Sequence, residues 1–177
     1  MESSTYTTKK RYALISTGGT IEKTYDELSG VLENHISVLE VMLGMLVLGD
    51  VELDRIALMN KDSLEMTPED HELIAATALK CARSHDGVII IHGTDRLAET
   101  GNKIHAKDPT PPVPIVLTGA MRPFVMRTTD ALQNLTEALL SVQIAAPGVY
   151  VAMHNKLLTF PGVTKDRGKG TFVKSTP

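Results

Sequence analysis

Five short, mostly apolar runs, residues 11–17, 55–60, 87–91, 114–118 and 149–154, constrain this chain more than any other feature. Runs of five to seven residues rich in Val, Ile and Leu read as strands, and continuous apolar content is what a strand covered on both faces requires. Helical patterns fill the gaps. The clearest covers residues 68–84, where Thr67 can cap, Pro68 takes the first helical position and Asp70 completes a capping-box-like pattern. Leu73, Ile74, Thr77, Ala78 and Cys81 are expected on its buried face. A second helix, residues 129–144, places Leu132, Leu135, Leu139 and Val142 at spacings of three and four. Residues 34–48 and 95–107 are further helical candidates, each weakened by a glycine, Gly44 and Gly101. The alternation predicts an α/β fold: a three-layer, doubly wound, mostly parallel sheet of Rossmann-like or flavodoxin-like kind, with right-handed crossovers.

The 177 residues suit one domain, and the proline-dense stretch 108–114 reads as a turn inside it. Eighteen Lys and Arg against 21 Asp and Glu leave a net charge of −3, so no basic face for nucleic acid or anionic lipid is implied. The longest apolar run, residues 36–48, contains Glu40 and is too short to span a bilayer, and the polar amino terminus has no signal core. A single cysteine, Cys81, fits a reducing compartment and a buried thiol. The expectation is a cytoplasmic protein with neither membrane nor nucleic-acid partner.

In an open parallel sheet, ligands bind outside the carboxyl ends of the strands. Those ends carry Thr17-Gly18-Gly19-Thr20, Lys61-Asp62-Ser63, His92-Gly93-Thr94-Asp95, Gly119-Ala120-Met121-Arg122-Pro123 and Asn155-Lys156. Hydroxyls, a carboxylate and glycines that permit close approach thus gather at one edge. Neither a G-x-G-x-x-G fingerprint nor a G-x-x-x-x-G-K-[ST] loop is present, which disfavours a nucleotide. Six histidines form no close metal-ligand cluster, and His35, His71, His85 and His105 read as solvated or helix-surface residues. Without a G-x-S-x-G elbow, and with the cysteine inside a helix, serine and cysteine hydrolase readings lack a nucleophile. What remains is threonine chemistry. A threonine hydroxyl needs a neighbour to take its proton, and Thr94-Asp95 with a lysine from a later loop could form that relay.

Three segments, ISTGGTIEKTY at residues 15–25, IHGTDRLAET at 91–100 and VLTGAMRP at 116–123, closely resemble signature segments of the bacterial-type L-asparaginases. The resemblance covers nearly all of the chain and corresponds to that family's amino-terminal domain. It implies a short, single-domain enzyme over residues 1–177, hydrolysing L-asparagine to L-aspartate and ammonia without a cofactor or metal. By the same resemblance, Thr20 is similar to the nucleophile and Tyr25 to a tyrosine on a mobile loop beside it. Thr94, Asp95 and Lys165 look like the Thr-Asp-Lys relay, Asp95 also binding the substrate's α-amino group. Ser63 looks like the serine that holds the substrate carboxylate, and Gly19, Leu64, Gly93 and Ala120 fall among the substrate-lining positions. The backbone N–H groups of Thr94 and Ala120 could form an oxyanion hole.

The sequence departs from the family pattern in two places. Leu64 stands where periplasmic-type members carry a polar amide side chain, which implies weaker substrate binding and altered glutamine discrimination. The carboxyl-terminal domain of longer members, which supplies an acidic side chain to a neighbouring site, has no counterpart in these residues. A homo-oligomer, dimer or tetramer, is therefore expected to close the site. The alternatives are a glutamine-preferring amidohydrolase, the amidase part of a transfer-RNA-dependent amidotransferase, and a non-catalytic module that senses an amino-acid amide.

Overall fold

The computed structural model describes residues 9–175. Six strands, β1 (Lys10–Gly18), β4 (Val51–Lys61), β5 (Gly87–Ile91), β6 (Pro114–Thr118), β7 (Gly148–Ala152) and β8 (Leu157–Thr159), form one sheet. Their order across it is β4-β1-β5-β6-β7-β8. The first five are mutually parallel where paired, and β8 returns antiparallel to β7. The expected doubly wound α/β fold is present. Among the parallel strands the second lies outside the first and the rest follow on the other side, so the winding reverses between β1 and β5. That reversal is where the loops leaving the sheet diverge and open a crevice.

Strand residues alternate between the sheet's two faces. Ala13, Ile15, Val88 and Ile90 pack with Ile74, Ala78 and Ile104 of α2 (Pro68–Cys81) and α3 (Leu97–Lys107). Tyr12, Leu14, Ile89 and Ile91 pack with Leu135, Ala138 and Val142 of α4 (Ala131–Ile144), and with Leu39 and Met42 of α1 (Leu39–Gly44). β5 and β6 are buried at every residue, as continuous apolar runs require, whereas the outer strand β4 alternates in exposure. Three smaller features matter for the site: the hairpin β2 (Thr24–Asp26) with β3 (Val31–Glu33), the hairpin β9 (Val163–Asp166) with β10 (Thr171–Lys174), and one-turn helices at Thr20–Glu22 and Ser63–Glu65. None of these is readable as a period in the sequence.

Several boundaries shift. The capping box at Thr67 and Asp70 forms as expected, but the helix stops at Cys81, and its buried face is His71, Ile74, Ala75, Ala78 and Cys81 while Leu73 is half exposed. The helix expected over residues 34–48 shrinks to six residues: Leu39 and Met42 are buried, Val38, Leu43, Leu46 and Leu48 pack partly against the same core, and Ile36, Val41, Met45 and Val47 stand in solvent. α3 and α4 begin two residues later than expected, at Leu97 and Ala131. His154 belongs not to β7 but to the turn after it, where His154 and Asn155 both adopt left-handed backbone, φ 54° and 60°. Among the described residues no helix is long and apolar enough to cross a membrane.

Candidate functional site

The carboxyl ends of β1 and β5 meet backbone to backbone. A methyl group on Gly19 would lie 2.4 Å from Gly93 Cα, and one on Gly93 would lie 2.6 Å from Ser63 Oγ. One on Gly119 would lie 2.3 Å from the His92 carbonyl oxygen and 3.2 Å from Thr94 Cγ2. Only glycine fits at these three points, and Gly19 also sits at φ 83°, where other residues are strained. Of the five strand-end loops, those carrying Gly19, Ser63, Gly93 and Ala120 meet here, with Thr20 and Thr94 each following a glycine of the central contact, whereas Asn155-Lys156 turns back into β8. Further bonds fix the first turn: the Gly19 N–H donates to the Lys61 carbonyl at 2.8 Å, and Asn34 Nδ2 donates to the Gly19 carbonyl at 2.9 Å.

Lys165 arrives from β9. Its Nζ donates to Thr94 Oγ1 at 2.9 Å and to Asp95 Oδ1 at 3.0 Å, so threonine, lysine and aspartate form one connected set. Thr94 is buried, and the Lys165 and Asp95 side chains retain only a small exposed fraction. Arg167, from the same hairpin and carrying no motif in the sequence, reaches the same Asp95 oxygen at 2.8 Å. Asp62 lies within reach of the Lys165 charge and pairs with Lys23 at 2.5 Å. Burial draws the Asp62 carboxyl upward, but the bonds from Lys23 and the Leu64 N–H, with the charges of Lys23 and Lys165, outweigh it and hold it below the usual carboxylate range.

Ser63 is fully buried, its Oγ accepting from the Arg96 N–H at 3.4 Å, while the neighbouring Leu64 side chain is exposed. Ala120, within the 119–122 loop, is fully buried. Tyr25 lies on β2, paired in register with Leu32, and its side chain is 61% exposed. Beside this hairpin an open cleft of about 400 Å³ is lined by Lys23, Leu32, Asn34, Asn60, Asp62 and Glu65, among others. Among the described residues no group of three or more His, Cys, Asp and Glu side chains is placed to hold a metal ion.

Three supporting groups have no signature in the sequence strong enough to place them at the site. Glu22 is buried behind the Thr20 turn, held by the Ser37 hydroxyl and the Gly18 N–H; burial raises its carboxyl and these bonds oppose the rise. His71, expected on the surface, is instead fully buried and stacked on His92, ring centroids 5.9 Å apart. The bond directions follow from chemistry. His92 Nδ1 must donate to the Gly93 carbonyl at 2.8 Å, so its Nε2 accepts from Thr100 at 2.8 Å, and the Thr100 oxygen accepts from His71 Nδ1 at 2.6 Å. A proton-free Nε2 on His92 fits its complete burial, whereas His71 Nε2 has no hydrogen-bond partner among the described residues and lies 3.6 Å from Glu99 Oε2. Burial pushes His92 down to about 4, the Gly93 bond opposing and the nearby His71 adding to the shift, and burial likewise lowers His71. His85, also expected on the surface, is largely covered, 3.0 Å from Asp54. The third group is Asp130 with Asn134, which bond to the 119–122 loop from the start of α4. An Asp four residues before an Asn at a helix start is its one visible sign.

The family description "Asparaginase, N-terminal" matches residues 11–171. An L-asparaginase of Thermococcus kodakarensis is 31% identical over 157 residues, 89% of this chain and 48% of that protein. A glutamyl-tRNA(Gln) amidotransferase component of Methanosphaera stadtmanae is 31% identical over 148 residues, 82% of this chain and 34% of that protein. The solved structure of the thermostable L-asparaginase from Thermococcus kodakarensis superposes with a TM-score of 0.83 at 30% identity, covering 93% of this chain and 51% of that one. The chain thus spans about half the length of the L-asparaginase it resembles. A switch-point crevice walled by glycine contacts, signature segments at the strand ends, and a family match running from β1 into β10 lead to one conclusion: this chain belongs to the asparaginase family of amidohydrolases.

Proposed function

We propose that the crevice hydrolyses the side-chain amide of L-asparagine, with Thr20 as nucleophile. The observation that carries this reading is the Lys165 Nζ placed 2.9 Å from Thr94 Oγ1 and 3.0 Å from Asp95 Oδ1, beside the Gly19–Gly93 contact that brings Thr20 to the same edge. Thr20 Oγ adds to the amide carbonyl carbon, and its proton travels through Thr94 and Lys165 to the departing nitrogen, which leaves as ammonia. The oxyanion is held by the Thr94 and Ala120 N–H groups. Water then attacks the ester, giving its proton to the Thr20 oxygen and releasing L-aspartate. Asp95 holds Lys165 and receives the substrate's α-ammonium; Ser63 with the Gly19 and Gly93 backbone takes its carboxylate. Leu64 lines the entry without a hydrogen bond to offer, and Tyr25 closes over the nucleophile when the β2–β3 hairpin folds down on it.

Ammonia release from L-asparagine and L-glutamine at neutral pH tests the reading. The expected result is release from asparagine that falls by about three orders of magnitude or more in Thr20→Ala and Lys165→Ala. A parent protein that binds either amide yet releases no ammonia would leave the sensor reading in its place. The likeness to a glutamyl-tRNA(Gln) amidotransferase component supports glutamine as the second substrate, and faster turnover of glutamine would select it. The open, partly apolar surface around Tyr25, Val31 and Leu32 supports closure by a second copy, in a dimer or tetramer. Light scattering that finds a fully active 19.2 kDa monomer would count against that assembly.

A further inference from the structure

Asp130 and Asn134 grip the 119–122 loop from beneath. Asn134 Nδ2 donates to the Gly119 carbonyl at 2.8 Å, and Asp130 accepts from the Met121 and Arg122 N–H groups, each at 3.0 Å. The Gly119 carbonyl and the Ala120 N–H share one planar trans peptide and point in opposite directions, so a donor fixed on that oxygen fixes the direction of that N–H. The clamp does not end there. Asn134 Nδ2 also donates to Asp130 at 2.8 Å, and Asn134 Oδ1 accepts from the His154 N–H at 3.1 Å. The His154 ring, in its left-handed turn, lies with Nε2 2.7 Å from Asp130 Oδ2 and Nδ1 3.2 Å from Thr171 Oγ1. Thr171 belongs to β10, where its neighbour Phe172 pairs with Lys165 across the hairpin.

We propose that Asn134, Asp130, His154 and Thr171 are positioning residues that aim the Ala120 N–H into the crevice and tie its loop to the hairpin carrying Lys165. The inference rests on the amidohydrolase reading for its purpose, and on the bonds above for its existence. A Thr-His-Asp order would suit a second nucleophile, but Asp130 is already committed to the Met121 and Arg122 N–H groups and to Asn134. The network instead joins the oxyanion donor on one side of the amide to the proton relay on the other. Groups acting on the transition state must hold position relative to each other, and a small misplacement lowers the rate while leaving ground-state binding intact.

Asn134→Leu removes three buried partners together and endangers the fold, so Thr171→Val carries the test. It cuts only the link between loop and hairpin. The expected result is a kcat for ammonia release about fivefold lower with KM within twofold, restored by Thr171→Ser, as the loss of one positioning bond implies. A purely structural role would lower Tm and leave kcat unchanged. Amide hydrogen exchange supplies a readout independent of turnover: exchange at Met121 and Arg122 is expected to quicken about two- to tenfold in Thr171→Val and in His154→Gln. Unchanged exchange at both amides overturns the coupling. Quickened exchange in these variants of a parent that releases no ammonia would keep the coupling, overturn its role at an oxyanion and sink the amidohydrolase reading separately.

Discussion

On one side of Thr20 the chain meets Gly93, Ser63 and Gly119 so closely that no methyl group fits. On the other side a hairpin of two three-residue strands carries Tyr25 and Leu28 into solvent, and a methyl group added at Gly30 near its tip would meet nothing among the described residues within 4 Å. The closed side is fixed by backbone contact and buried polar bonds. The open side hangs on a few side chains: Asn34 on the Gly19 carbonyl, Lys23 on Asp62, and Ser37 on Glu22. The crevice is thus closely packed on one side and held by few contacts on the other, and such thinly held segments are the ones that open most readily.

Glycine substitutions should separate the two sides most strongly. Gly19→Ala places a methyl group 2.4 Å from Gly93 Cα at φ 83°, combining overpacking with backbone strain, for a cost of about 3–5 kcal/mol. Gly30→Ala also has positive φ, 74°, but open space around it, so strain alone remains, about 1 kcal/mol. Chemical denaturation of both variants measures the difference. Equal costs would mean that the closed side is not held by backbone contact.

Acid should find the closed side next. His92 is neutral in the fold down to about pH 4, against 6.5 for a free imidazole, so below 6.5 the unfolded chain takes up a proton that the native chain refuses. Stability contributed by neutral His92 is therefore complete above pH 6.5, falls as the pH drops toward 4, and levels off below. The loss is on the order of 3 kcal/mol, and the buried His71, shifted in the same direction, adds to it. Denaturant titrations between pH 7 and 4 check this. His92→Gln should flatten the slope, and a parent slope unaltered by that substitution would assign the acid sensitivity elsewhere.

The same division explains what the sequence disclosed. Continuous apolar runs sit in β5 and β6 because both faces are covered there, and the glycine-threonine turns were legible because a close approach at a strand end admits few residue types. Lys165 bonds Thr94 and Asp95 from a strand whose place in the fold no local pattern fixes. Periodicity failed where tertiary contact decides. Residues 34–48 are apolar all round and read as a long helix, yet only six of them are helical, with Leu39 and Met42 buried and Ile36, Val41, Met45 and Val47 in solvent. His71 read as a surface residue because a polar side chain on a helix usually faces water; its burial depends on Thr100 and His92, one from the next helix and one from the end of β5, which no local pattern announces. Arg167 and the Asp130 network were hidden for the same reason, their partners lying far away along the chain.

The smaller effects belong to the open side. Lys23→Met removes a partly exposed ion pair with Asp62, with an expected cost of about 1 kcal/mol or less and a loosened Thr20 turn. Tyr25→Phe should change stability least, by less than about 0.5 kcal/mol, because the ring keeps its place in the hairpin and the hydroxyl belongs to a largely exposed side chain. Its effect on rate is the sharper question. If the hairpin closes over Thr20 during turnover, the tyrosine hydroxyl then meets the nucleophile, and Tyr25→Phe lowers kcat while Tm stays fixed. That split separates a residue used only in the reacting state from one that builds the resting structure. An unchanged kcat with unchanged Tm would reduce the hairpin to a cover, and would leave the chemistry entirely to the side of the crevice that the glycines hold shut.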